Sequence, residues 1–191
     1  ASGMIIYPRE YLKKAAGLAK RYNIHLILDE VATGFGRTGK MFALEYASAE
    51  PDFLCLSKGI TSGYLPLAVT LTTDKVYSAF YADYKERKTF FHGHTFTANP
   101  ISCSAALANL SIFKQEDTLE KIKEIIPFFH RRLNEFRDFS LVGDVRCLGL
   151  IGAIELVKDK KTKEGFPFEK IIGYKVCQRG LKEHLILRPL G

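Results

Sequence analysis

No apolar run in these 191 residues approaches the roughly 18 to 20 needed to cross a bilayer, and the amino end carries no charged, apolar, small-residue signal pattern. A cytoplasmic protein without a membrane partner is expected. Cysteine is sparse: Cys55, Cys103, Cys147 and Cys177 are widely spaced with no CxxC pair, so reduced structural thiols are expected rather than disulfides. Basic residues outnumber acidic ones, 28 against 21 for a net charge of +7. They are scattered along amphipathic stretches, and no basic cluster is interleaved with aromatics, which argues against a nucleic-acid footprint. What is abundant is apolar residue, 47% of the chain, enough for a sizeable core in one large domain or one and a part.

The informative stretch is Ile24 to Lys58. Ile24–Leu28 is apolar and β-rich and runs into Asp29 and Glu30, and Phe53–Leu56 runs into Ser57 and Lys58. Both read as buried parallel strands. In an open α/β sheet ligands sit beyond the carboxyl ends of the strands, so Asp29 and Lys58 should face one crevice. A carboxylate and an amine over one ligand suit pyridoxal phosphate, which needs a lysine to hold it as a Schiff base and an acid to keep its ring nitrogen protonated.

Between them Gly34-Phe35-Gly36-Arg37-Thr38-Gly39 spells GxGxxG, and with Lys40 it matches most of a phosphate-binding P-loop. Context opposes both motifs. A dinucleotide fingerprint begins at the strand end, whereas Asp29 to Thr33 intervene and place acidic charge where a pyrophosphate would sit. The P-loop needs Ser or Thr after its lysine, and Met41 stands there. A glycine-rich loop making tight turns beside the site is the expectation.

The segment Gly59–Leu67 is too rich in Gly and Pro for a regular element. A strand is expected over Ala68–Thr72, then Asp74 as N-cap of a helix Lys75–Tyr81. Phe90–Pro100 is a polar cluster ahead of an alanine-rich helix, Ile101–Phe113. His92 and His94 lack a third ligand at zinc-like spacing, so no metal is expected. A long helix from Leu119 to Phe136 contains Pro127, which suggests a kink or a break. Antiparallel strands follow over Val142–Arg146 and Leu148–Val157, with a charged tip at Lys158–Gly165, a helix Glu169–Glu183 and a last strand Leu185–Leu187. That strand would end in Arg188, a guanidinium suited to bidentate carboxylate capture. Residues 1–115 are expected to be part of a large α/β domain, 116–139 a connecting helix, and 140–191 part of a smaller α+β domain.

Three blocks, LILDEVATGFGRTGKMFALE, PDFLCLSKGITSGYLPLAV and FFHGHTFTANPISCSAAL, resemble the class III pyridoxal-phosphate aminotransferases in order and spacing. The wording at Gly63–Leu67 and at His92–Thr95 is most similar to the branch serving biotin synthesis, against relatives acting on ornithine or 4-aminobutyrate. The resemblance implies fold-type I architecture, a mainly parallel large-domain sheet with part of a C-terminal α+β domain. It implies Lys58 and Asp29 as catalytic residues, and Asp29, Val31, Lys58, His94 and Thr95 as contacts for pyridoxal 5'-phosphate. Thr95 and the His94 backbone would reach the phosphate across a homodimer interface. Lys58, Gly93 and Arg188 would meet the substrates: an amine donor, S-adenosylmethionine or lysine, and a keto acceptor whose carboxylate Arg188 holds. ASGMIIYP lacks a starting methionine and LILRPLG stops short of a further strand and helix, so an interior fragment of a longer enzyme is expected. The fragment alone could be inert or, from its glycine-rich loop, a nucleotide-binding module.

Overall fold

The computed structural model describes residues 2–190, which divide into two compact units: Pro8–Ile122, and the residues up to Tyr7 together with those from Lys123 onward. Each is described in turn. Gly191, the last residue of LILRPLG, lies outside the described residues.

The first unit opens with α1 (Arg9–Arg21), which half-buries Leu12, Ala15, Ala16 and Ala19, one helical stripe. It ends in a Schellman motif: Asn23 is left-handed at φ 51°, its N–H reaches the Lys20 carbonyl, and the Ile24 N–H reaches that of Ala19. Strand β1 (Ile27–Asp29) then lies parallel to β2 (Phe53–Leu56), with Ile27 opposite Phe53 and Asp29 opposite Cys55. Strand β3 (Val69–Thr72) pairs antiparallel on the far side of β2.

Strand β1 starts three residues later than the apolar run suggests. The reason is a partner distant in sequence: the Leu26 N–H donates to Asp52 Oδ2 at 2.8 Å while the Asp52 N–H donates back to the Leu26 carbonyl. This clasp fixes where β1 and β2 begin to pair. The described sheet has one parallel and one antiparallel pairing, and Ile27 is 61% exposed rather than buried.

The core of this unit gathers Phe35, Leu54, Leu56, Ile60 and Ala106, with Leu28, Met41 and Phe113 packed around them. Strand, glycine-rich loop, post-Lys58 loop and helix therefore share one apolar cluster. The short α2 (Asp74–Ser78) is capped by Thr73, whose hydroxyl accepts from the Val76 N–H, so Asp74 is its first residue and not its cap. Helix α3 (Pro100–Gln115) begins at Asn99, whose Oδ1 accepts from the Ile101 and Ser102 N–H groups, with Pro100 in the first turn where no N–H is needed.

Helix α4 (Thr118–Asn134) starts in the first unit and runs on, unbroken through Pro127, into the second. There Phe129 and Leu133 pack against Gly152 so closely that a Cβ on it would lie 2.9 Å and 2.5 Å from them. Gly152 belongs to a hairpin of β4 (Val142–Leu148) and β5 (Ile151–Leu156), turned by Gly149 at φ 58° and Leu150. Arg146 staples this hairpin: its guanidinium donates to Asp144, to Glu155 and to the Gly3 carbonyl. The charged tip closes on an Asp159–Glu164 bridge. Helix α5 (Ile172–Lys182) follows, but Leu185–Leu187 forms no strand; the Leu185 N–H turns back to the Gly180 carbonyl at 2.8 Å and has no ladder to join.

The Asp52 clasp has a pH signature. Its pKa is held below the usual 3.8, first by the Leu26 N–H and then by the hydrogen bond from His25. A depressed carboxylate contributes its full stability above the unfolded pKa and loses it as the pH falls through the folded one. Urea titrations should show the stability gap between wild type and Asp52→Asn closing as the pH drops from about 5 to about 2. A gap that stays constant over that range contradicts the clasp.

Candidate functional site

Asp29 closes β1, and β2 ends at Leu56 just before Ser57 and Lys58. Because the strands are parallel neighbours, the carboxylate and the amine follow the carboxyl ends of adjacent strands, the edge where open α/β sheets take ligands. The Glu30 N–H donates to the Cys55 carbonyl at 2.9 Å and extends the pairing one step beyond Asp29. Asp29 is exposed, and its Oδ1 accepts from the Val31 N–H at 2.9 Å, which orients the carboxylate. Val31, half-buried, follows in the same turn. Lys58 is exposed and stands at φ 42°, a left-handed backbone that a non-glycine residue adopts only when its surroundings impose it. Among the described residues its amine makes no hydrogen bond or ion pair. An oriented carboxylate and an accessible amine are the two groups pyridoxal phosphate requires, so these residues fit that cofactor.

The neighbouring carboxylate, Glu30, is only 3% exposed. It accepts from the Thr33 hydroxyl at 2.5 Å, the Ala43 N–H at 2.9 Å and the Leu44 N–H at 2.7 Å. Three bonds to one buried anion make Glu30 an anchor that folds residues 31–44 back onto the strand end.

The glycine-rich loop is thereby placed as packing. Gly34 donates to the Glu30 carbonyl, Phe35 to that of Met41 and Gly39 to that of Gly36, so these amides are already engaged and do not form a phosphate cradle. Gly36, at φ 84°, lies under Leu119 and Ile122, where a Cβ would come within 3.1 and 2.8 Å. Phe35 is buried against Gly59. Lys40 faces the Tyr46 ring at 5.6 Å.

The loop after Lys58 is held by side chains that sequence reading passed over. Ser57 Oγ donates to the Leu67 carbonyl at 2.7 Å, and Thr61 Oγ1, 2% exposed with its residue, donates to that of Leu65 at 2.6 Å. Asn109 reaches the same loop from α3. Asn109 gave no local signal, since its partners lie 47 to 50 residues away, and the backbone partners of Glu30 lie 13 and 14 residues further on.

Gly93, His94 and Thr95 lie in an exposed turn of the same unit, leading into the Asn99 cap. The His94 N–H donates to Thr97 Oγ1 at 3.0 Å, and its ring Nδ1 accepts from the Phe96 N–H at 3.2 Å. Thr95 is exposed, while His92 stacks on Phe90 at 5.4 Å. Arg188 belongs to the second unit, exposed in irregular chain after α5. Among the described residues no group of three or more His, Cys, Asp or Glu is disposed to hold a metal, and no helix is long and apolar enough to cross a membrane.

Comparison with known proteins places these features in context. The family model for aminotransferase class-III matches residues 1–191. The adenosylmethionine-8-amino-7-oxononanoate aminotransferase of Aquifex aeolicus is 52% identical over 191 residues, covering 100% of this chain and 42% of that protein. The putrescine--pyruvate aminotransferase of Pseudomonas aeruginosa is 36% identical, over 100% of this chain and 41% of its own. The crystal structure of the Methanocaldococcus jannaschii adenosylmethionine-8-amino-7-oxononanoate aminotransferase superposes with a TM-score of 0.95 at 48% identity, covering 99% of this chain and 44% of that one. The chain thus spans about two fifths of the curated relatives it matches.

Glu30 offers a test of how the site is built. Glu30→Ala would leave the half-buried Ala43 and Leu44 N–H groups without their acceptor, a loss of about 3 kcal/mol in urea unfolding. Thr33→Ala removes one bond to an anion that keeps two others and should lose about 1 kcal/mol. Equal losses would show that the carboxylate is not the anchor.

Proposed function

The chain belongs to the class-III aminotransferase family, and on that premise we propose that its full-length protein transfers an amino group to 8-amino-7-oxononanoate (7-keto-8-aminopelargonate), giving 7,8-diaminopelargonate in biotin synthesis. The observation that carries the reading is the placement of Asp29 and Lys58 after adjacent parallel strands. Identities of 44 to 52% over the whole chain to relatives named for this acceptor support it, against 36% to the putrescine enzyme.

Pyridoxal 5'-phosphate, when bound, supplies a carbonyl that captures amines and a protonated ring that withdraws electrons from the carbon losing its proton. Lys58 would hold the cofactor through its Nζ, and the same amine would serve as the group that carries the proton. Asp29 keeps the ring nitrogen protonated with a carboxylate that the Val31 N–H has already oriented. The Val31 side chain would pack against the ring. Thr95 and the His94 backbone would hold the cofactor phosphate of a neighbouring subunit. Gly93 lies along the substrate, and Arg188 takes the acceptor carboxylate in a bidentate grip.

In this reading residues 1–115 are part of the cofactor-binding domain, 116–139 connect, and 140–191 are part of the smaller domain. The assembly is a cytoplasmic homodimer, and S-adenosylmethionine or lysine is the donor.

A panel of donors and acceptors on the full-length protein tests the acceptor. The highest kcat/KM is expected with 8-amino-7-oxononanoate. Faster turnover of putrescine with pyruvate, or of ornithine or 4-aminobutyrate, would move the protein to another branch of the family. Asp29 is tested separately: Asp29→Asn should still bind the cofactor but slow the donor half-reaction by about 100-fold to 1,000-fold in single turnover. A full-speed half-reaction would leave the ring without the role assigned to Asp29.

A further inference from the structure

We infer that Asn109 is a positioning residue for Lys58, an inference that rests on the reading of Lys58 as the cofactor lysine. Asn109 sits in the middle of α3, 7% exposed, in a helix interior where asparagine is a poor helix former. Packing alone would favour an apolar residue there. Its side chain instead directs three hydrogen bonds to one loop: Nδ2 donates to the Gly59 carbonyl at 2.9 Å and to the Ile60 carbonyl at 3.1 Å, while Oδ1 accepts from Ser62 Oγ at 2.5 Å. The amide orientation follows from chemistry, since the reverse setting would press its oxygen against two carbonyl oxygens.

The gripped residues are the ones that follow Lys58 directly. They form a single 3-10 turn, Lys58–Thr61, with left-handed backbone at both of its ends: Lys58 at φ 42°, then Ser62 at 50° and Gly63 at 79°. The Gly63 N–H closes the turn on the Lys58 carbonyl at 3.2 Å. On the other side Phe35 leans on Gly59, where a Cβ would stand 2.8 Å from the Phe35 Cβ. The backbone beyond Lys58 is therefore held between an aromatic ring and an amide from two different parts of the chain. A left-handed lysine is unfavourable by itself, and this grip is what opposes its relaxation. The direction in which Lys58 leaves the strand end, and so the place of its amine relative to Asp29, follows from Asn109 without any contact between Asn109 and the amine.

The test uses the full-length protein and two readouts, amide hydrogen exchange over residues 59–63 without cofactor, and the rate at which added pyridoxal phosphate is captured, followed by absorbance. Ala106→Gly is the control, a buried residue one turn earlier on α3 that packs in the core but bonds nothing in the loop. Asn109→Ala should raise exchange in 59–63 and slow capture, each by about tenfold, the ratio that the left-handed penalty of a non-glycine residue implies. Ala106→Gly, with its own loss of Tm, should leave both readouts near wild type. If the two variants behave alike per degree of Tm lost, Asn109 is core packing and the inference is overturned. Should Asn109→Ala not fold, Asn109→Ser, which keeps a small polar side chain but lacks the second donor, is held to the same criteria. If wild type captures no pyridoxal phosphate, the functional reading fails. The exchange comparison and the acetylation rate of Lys58 in Asn109→Ala against wild type then still decide whether Asn109 places the lysine.

Discussion

A single buried carboxylate organises the first unit. Glu30 sits one residue past the strand end and holds Thr33, Ala43 and Leu44 at once, so the chain after Asp29 must return to where it started. That return folds the glycine-rich loop inward under Leu119 and Ile122, and it delivers Phe35 to the Lys58 loop. The reactive residues are thus placed by a neighbour that is itself buried and chemically quiet. Asp29 and Glu30 are adjacent in sequence with opposite fates, because a strand-end pair points its side chains to opposite sides. One carboxylate is left exposed and the other is enclosed in hydrogen bonds.

The two anchors divide the work by direction. Glu30 acts along the chain and fixes the exit from β1, while Asn109 acts across it and fixes the exit from β2. Between them the Asp52 clasp sets the register with which both strands begin. Parallel pairing then carries this alignment to the carboxyl ends, where Asp29 lies opposite Cys55 and Lys58 follows three residues later.

Much of this was legible in sequence where the signal is local. The Asn99-Pro100 cap opens α3 within a residue of the expected start, and the β2 run coincides with its strand. Two antiparallel strands stand over the expected stretches, joined at Gly149. Errors arose where a distant partner decides. The start of β1 yields to Asp52, 26 residues from Leu26, and the helix through Pro127 stays whole with Phe129 and Leu133 seated on the hairpin. Leu185–Leu187 reads as a strand by composition, yet its first N–H turns back to α5 and no neighbouring strand is present among the described residues. The positions of Asp29 and Lys58 at the ends of neighbouring strands were legible because a polar residue ending an apolar run is a local pattern. Glu30 and Asn109 were not, because a buried polar residue looks like any other until its partners are known.

The central claim is that Lys58 is the residue on which the cofactor is held, and it is read most directly by chemical trapping. The full-length protein is incubated with pyridoxal phosphate, reduced with borohydride, digested and mapped by mass spectrometry. A single pyridoxyl label on Lys58, with loss of the visible absorption band on reduction, is the predicted result. A label on Lys40 or another lysine, or no label at all, would contradict it.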